Sequence, residues 1–244
     1  MTTRTGVRRR AHIDLDVIRS TAASSPYPLP DCTADLRADA YGHGLIPVAC
    51  ALMDAGVGGF LVSRVEDAAA LADEGLPAAV DVGIAGEAPL LGPELFGLDP
   101  ALPTPPAMRL EGEVIAVKRV PADRGVSYGY TYRTARPSTL VLVALGYADG
   151  IFRVASNKAP VKVGATTGRI TGRIAMDQFV VDIHDDTAEP GDTVVLFGDP
   201  ARGEPSVSDW ANALGIAAPV ITSRLGRRIE RTYESAMADG GTSA

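Results

Sequence analysis

The feature that most constrains this chain is a change of pattern near residue 107. Before it, apolar runs alternate with helical repeats; after it, short apolar runs are separated by glycines. Ala34–Ala38 reads as a strand ending at the turn Asp39-Ala40-Tyr41-Gly42-His43-Gly44. A helix through Ile46, Ala49, Leu52 and Met53 should stop at Gly56. Phe60–Val62 is a second strand, Val65–Glu74 a helix closed by Gly75, and Val80–Ile84 a third strand. Helices between strands imply parallel neighbours with right-handed crossovers. Pro100, Pro103, Pro105 and Pro106 then mark a linker. Val114–Val117, Thr139–Leu145, Val161–Val163, Phe179–Ile183 and Thr193–Phe197 follow, at the spacing of a small antiparallel barrel or sandwich. Ser208–Leu214 should be a helix, with Ser206 or Ser208 as its N-cap.

Charge and composition limit the partners. A net charge of −7 argues against a nucleic-acid surface or attraction to anionic membranes. The N-terminal Arg4, Arg8, Arg9 and Arg10 are followed by no apolar run, so no signal peptide is expected. Nor does any stretch approach the length of a membrane helix. Cys32 and Cys50 make no disulfide framework, and no Cys/His cluster suggests a metal. The expected location is cytoplasmic.

One segment carries a resemblance. Asp35-Leu36-Arg37-Ala38-Asp39-Ala40-Tyr41-Gly42-His43-Gly44 resembles the signature of fold-type III alanine racemases, with Arg37 where that family has its lysine. Gly129-Tyr130-Thr131-Tyr132, Gly146-Tyr147-Ala148-Asp149-Gly150, Gly172-Arg173-Ile174-Ala175-Met176-Asp177-Gln178 and Arg227–Arg231 are similar to the family's C-terminal domain. The resemblance implies a (β/α) barrel followed by a β domain, a pyridoxal-phosphate cofactor, and a homodimer whose sites are completed by the partner's C-terminal domain.

Two departures shape the expectation. The Schiff-base lysine's position is Arg37, and a guanidinium stays protonated and cannot replace a neutral amine. A full barrel takes roughly 200 to 250 residues, whereas the α/β pattern ends by residue 106. Pro93–Pro100 resembles the segment after the family's last barrel strand, so the middle strands are missing in one piece. The expected fold is therefore α/β plus β: a truncated barrel remnant over residues 13–106, and an antiparallel β domain formed by residues 1–12 and 107–244. The remaining strands would order last-first-second-third.

With most phosphate ligands in the missing segment, the cofactor expectation is none, pyridoxal phosphate being lost. The main functional expectation is a repurposed, cofactor-independent isomerase or cyclase. It would act on a small molecule by acid–base chemistry in an inter-subunit cleft, with Tyr147 and Arg37 as catalytic residues. Tyr147 corresponds to the family's catalytic tyrosine; its alternative is a packed turn residue. Tyr41, His43, Tyr132, Met176 and Asp177 are the candidate substrate-binding residues. Against these roles, Tyr41 fits a structural ring, His43 a core histidine and Met176 a space-filler. Arg37 could instead form a structural salt bridge with Asp39, Asp177 or another carboxylate. The functional alternatives are a non-catalytic binding or partner subunit, and a residual pyridoxal-phosphate racemase recruiting Lys118, Lys158 or Lys162.

Overall fold

The computed structural model describes residues 6–81, 88–102 and 104–235. The chain divides into two compact units, one of residues 1–11 and 109–230, the other of residues 12–108 and 231–244. The division falls within strands β1 (Arg9–Asp14) and β14 (Glu230–Glu234).

The second unit is the α/β one. Its strands are β2 (Thr33–Asp35), β3 (Gly59–Val62), β4 (Ala78–Val80) and β5 (Leu90–Leu91), and its helices α1 (Leu15–Ala23), α2 (Leu45–Asp54) and α3 (Val65–Asp73). The sheet order is β4-β3-β2-β5 with parallel pairings, so the last strand lies beside the first. Register places Ala34, Phe60, Ala78 and Leu91 on one face. Of these Ala34, Phe60 and Leu91 are buried. Val62 and the helix residues Ile18, Leu52 and Leu71 are buried with them, because apolar surface recurs at strand and helix periods. Asp14 caps α1 by accepting from the backbone N–H groups of Asp16 and Val17.

The first unit is built on an antiparallel sheet. Its strands are β6 (Met108–Val120), β9 (Ser138–Val143), β10 (Pro160–Val163), β11 (Thr166–Thr171), β12 (Phe179–Asp182) and β13 (Thr193–Phe197). The order is β13-β10-β11-β12-β9-β6-β1-β14, and β13 also pairs with β6, which closes a barrel and removes the edges of those strands. A short hairpin, β7 (Gly125–Val126) with β8 (Tyr132–Arg133), stands apart. Helices α4 (Val207–Leu214) and α5 (Ala218–Ser223) follow the last barrel strand. Ser206 caps α4 in a capping box with Asp209. Trp210, on α4, is buried and donates from Nε1 to the carbonyls of Pro160 and Leu196 at 2.8 and 2.7 Å.

The architecture is a truncated barrel remnant with an antiparallel β-barrel domain. Three readings of the sequence need correction. The first strand ends at Asp35 rather than Ala38, because the backbone turns left-handed from Ala38. The third strand begins at Ala78 and ends at Val80; the expected Val82–Ile84 lies outside the described residues. Strand β11 was not expected: Thr166-Thr167-Gly168-Arg169-Ile170-Thr171 has one aliphatic residue, and its pairing with β10 and β12 makes it a strand.

Candidate active site

In the α/β unit the chain leaves β2 through Asp35 and makes a left-handed turn. Ala38, Asp39, Ala40 and Tyr41 have φ of 54°, 59°, 52° and 53°. Such a conformation costs non-glycine residues roughly 1–2 kcal/mol each, so the surroundings must hold it. Gly42 N–H donates to Ala38 O and Gly44 N–H to Asp39 O, both at 3.0 Å. Leu45 N–H donates to the Asp39 carboxylate at 2.8 Å, and Arg231 Nε to Gly42 O at 2.7 Å. Gly44 is required by space as well as by its φ of 98°, since a Cβ there would fall 2.0 Å from the Tyr233 hydroxyl oxygen.

This turn delivers Arg37 and Tyr41 to one carboxylate. Arg37 Nε donates to Asp35 Oδ1 at 2.8 Å and Nη2 to Oδ2 at 2.6 Å, a bidentate pair. The Arg37 backbone N–H adds a bond to Oδ1 at 3.1 Å, and the Tyr41 hydroxyl donates to Oδ2. Arg37 Nη1 donates to Asp81 Oδ2 at 2.6 Å. Asp35 is only 2% exposed at its side chain, while Arg37 is 39% exposed. Burial pushes the Asp35 carboxyl up, but the Arg37 and Tyr41 hydrogen bonds outweigh it and hold it below the usual range. The Asp35 hydrogen bond pushes Arg37 up, and burial followed by Asp35 does the same to Tyr41. Arg37 is thus a permanent cation and can exchange no proton.

Of the carboxylates open to Arg37, the two named from the sequence, Asp39 and Asp177, are not its partners; the salt bridge is made instead to two others, Asp35 and Asp81. Strand periodicity does not mark the Asp35 pair, because the chain leaves the extended conformation at Leu36, whose ψ is 19°, and this bend folds Arg37 back onto Asp35. Asp81 is a tertiary partner with no local signal.

His43 is wholly buried beneath the turn, its ring 4.5 Å from that of Phe96, which also meets Tyr41 at 5.5 Å. Its Nδ1 lies 2.9 and 3.2 Å from the carbonyls of Ala40 and Tyr41, so Nδ1 carries the proton. Nε2 has no hydrogen-bond partner among the described residues. Burial lowers its pKa to about 4.

The β unit carries the other candidates. Tyr147 and Ala148 donate their backbone N–H groups to the carbonyls of Ala175 and Met176 at 3.1 and 2.9 Å. Gly146 permits this approach: a Cβ there would meet the Met176 carbonyl oxygen at 2.3 Å. Tyr147, Met176 and Asp177 are therefore gathered on two joined turns. Tyr147 is 40% exposed, with the Arg153 guanidinium carbon 5.7 Å from its ring centre. Asp177 accepts from Arg228 at 2.6 Å. Beneath them Asp149, fully buried, accepts from Gly146 N–H at 2.8 Å and pairs with Arg228 at 3.0 Å and Arg9 at 3.5 Å. Burial raises the Asp149 carboxyl despite these partners. Its anchoring of the Tyr147 turn was not foreseen, although it lies in the same motif.

Tyr132 is apart from that group, donating to Asp182 at 2.8 Å. Burial, then Asp182, pushes its hydroxyl to about 12. A cavity of about 440 Å³ in this unit is lined by Tyr128, Tyr130, Arg173 and Gln178, and contains none of the predicted site residues. Arg37 and Tyr147 lie in different units.

Comparison with known proteins gives this geometry its family. The alanine racemase C-terminal domain model matches residues 107–233 and the N-terminal domain model residues 14–106. The chain belongs to the alanine racemase family. A protein from Salinispora arenicola named alanine racemase is 47% identical over 154 residues, covering 63% of this chain and 40% of its own length. One of the same name from Frankia casuarinae is 50% identical over 142 residues, covering 58% and 37%. The chain thus spans about 40% of the length of the curated relatives it matches. The crystal structure of alanine racemase from a D-cycloserine-producing Streptomyces lavendulae superposes with a TM-score of 0.85 at 26% identity. That match covers 98% of this chain and 100% of the other.

These relatives overturn two expectations. A cofactor-independent isomerase or cyclase has no support among proteins that carry the racemase name at 47–50% identity. Arg37, held as a cation by Asp35, also cannot serve in acid–base chemistry. The expectation of no cofactor falls with it: the family's group is pyridoxal phosphate. The site does not fit a covalently attached form of that group, however. Position 37 offers a guanidinium tied to two carboxylates, and Lys118, Lys158 and Lys162, the only lysines, all belong to the β unit.

Proposed function

We propose that the chain functions in pyridoxal-phosphate-linked racemisation of a small amino acid, with the cofactor held without a lysine linkage. The observation that carries this reading is the joint match of both racemase domains over residues 14–233. Tyr147, in the position of the family's catalytic tyrosine, is the residue proposed to move a proton at the substrate's α-carbon. Its half-exposed hydroxyl-bearing ring, on a turn fixed by Gly146 and Asp149, supports that assignment. Met176 and Asp177, gathered beside it, are proposed to shape the same site. His43 and Tyr132 take supporting places, because His43 is wholly buried with its Nδ1 on the Ala40 and Tyr41 carbonyls, and the Tyr132 hydroxyl is engaged with Asp182.

The assembly proposed is a homodimer, in which one protomer's β unit completes its partner's site. No helix among the described residues is long and apolar enough to cross a membrane.

Chiral analysis of L-alanine incubated with the protein and pyridoxal phosphate tests the reading. D-alanine should form faster than in a protein-free blank. Tyr147→Phe should lower that excess about 100-fold, the scale of one general acid–base group. A rate equal to the blank would leave this chain a non-catalytic member of its family.

A further inference from the structure

The surroundings of position 37 hold more than its guanidinium. A guanidinium at position 37 explains why no carbon–nitrogen double bond to an aldehyde can form there. It does not explain why a buried carboxylate lies beneath it. Asp35 ends strand β2 with its side chain 2% exposed, and a lone carboxylate that deep is costly unless paired. Four donors converge on it: Arg37 Nε, Nη2 and backbone N–H, and the Tyr41 hydroxyl. Asp81, 26% exposed, holds Arg37 from the side at 2.6 Å. Among the described residues, the groups facing residue 37 are therefore two carboxylates and one phenol, from β2, the residue after β4, and the left-handed turn.

We infer that Asp35 is a specificity-determining residue of this site: it demands a cation at position 37, and so excludes lysine-linked aldehyde chemistry independently of which cation stands there. A lysine placed at 37 would inherit the Asp35 and Asp81 carboxylates. An ammonium so paired keeps its proton, and only the neutral amine has the lone pair that attacks an aldehyde carbon. In that reaction the nitrogen bonds to the carbon, the aldehyde oxygen leaves as water with two nitrogen protons, and borohydride then adds hydride to the double bond. Asp35 and Arg37 thus act as a matched pair, and reverting one leaves the other in conflict. The inference concerns amine chemistry at one position and stands whether or not the chain racemises alanine.

Four proteins test it: the native chain, Arg37→Lys, Arg37→Lys with Asp35→Asn, and Arg37→Lys with Asp81→Asn. Each is incubated with pyridoxal phosphate at pH 8, reduced with borohydride, and the label at residue 37 quantified by peptide mass spectrometry. Circular dichroism establishes that each is folded. Arg37→Lys alone should label at no more than about one-tenth of the level of the Asp35→Asn double variant, a difference of at least one pKa unit. The Asp81→Asn double variant should fall between them, since Asp81 is the more exposed partner. Repeating the reaction from pH 7 to 11 should place the labelling midpoint of Arg37→Lys at least one pH unit above that of the Asp35→Asn double variant. Equal labelling of Arg37→Lys and the Asp35→Asn double variant would overturn the inference, and so would failure of both. If Asp35→Asn does not fold, Asp35→Ser in the same background replaces it and is judged by the same ratio.

Discussion

Protonating His43 would put a cation against Phe96, with Nε2 facing no hydrogen-bond acceptor among the described residues. The folded state therefore keeps the ring neutral down to about pH 4, while the unfolded chain takes up the proton near the ordinary value of 6.5. Between those values the unfolded state binds more protons, so stability is fully present above pH 6.5 and is lost as pH falls towards 4. The loss is on the order of 3 kcal/mol. Urea unfolding at a series of pH values should show it, and His43→Asn should flatten the curve over the same window. An asparagine amide can still donate to the Ala40 and Tyr41 carbonyls but cannot titrate. A variant curve parallel to the native one would assign the acid loss to other groups.

The left-handed turn from Ala38 to Tyr41 gives opposite expectations for two neighbouring alanines. Ala38 is exposed at φ 54°, so Ala38→Gly should stabilise the fold by about 0.5–1 kcal/mol, reversing glycine's usual cost. Ala40 has a similar φ of 52° but is wholly buried, and Ala40→Gly should show no such gain because it also loses a packed methyl. Denaturant midpoints compare the two, and equal effects would contradict this account. Much of the surrounding segment was legible: Gly42 and Gly44 marked a turn, and the spacing of Ile46, Ala49 and Leu52 a helix. The left-handed run was not, because alanine carries no local mark of positive φ, and hydrogen bonds from Gly42, Gly44, Leu45 and Arg231 hold it there. The same limit applies to the site. The motif named Arg37, Tyr41 and Tyr147, whereas Asp81 and the buried role of Asp149 depend on contacts between distant segments.

At the scale of the whole molecule, the two units solve the problem of sheet edges differently. Pairing of β13 with β6 closes the β barrel, whereas the β4-β3-β2-β5 sheet is open. Parallel sheets are ordinarily covered on both faces. Here Phe60, Val62 and Leu91 are buried, while Leu61 is half-buried, Ala79 exposed and Leu90 50% exposed. Asp35, Leu61 and Ala79 share a register row, so among the described residues the second face is covered at Asp35 and incompletely covered towards Ala79. A second copy of the chain would supply cover of matching character, which agrees with the proposed homodimer. Light scattering at micromolar concentration should then give twice the 25.3 kDa protomer mass. Leu90→Glu should shift the population towards monomer while leaving the far-ultraviolet circular dichroism unchanged, because the side chain is too exposed to serve the protomer's own core. A native monomer would remove the dimer from the proposal, and a Leu90→Glu variant that stays dimeric would move the interface away from this sheet.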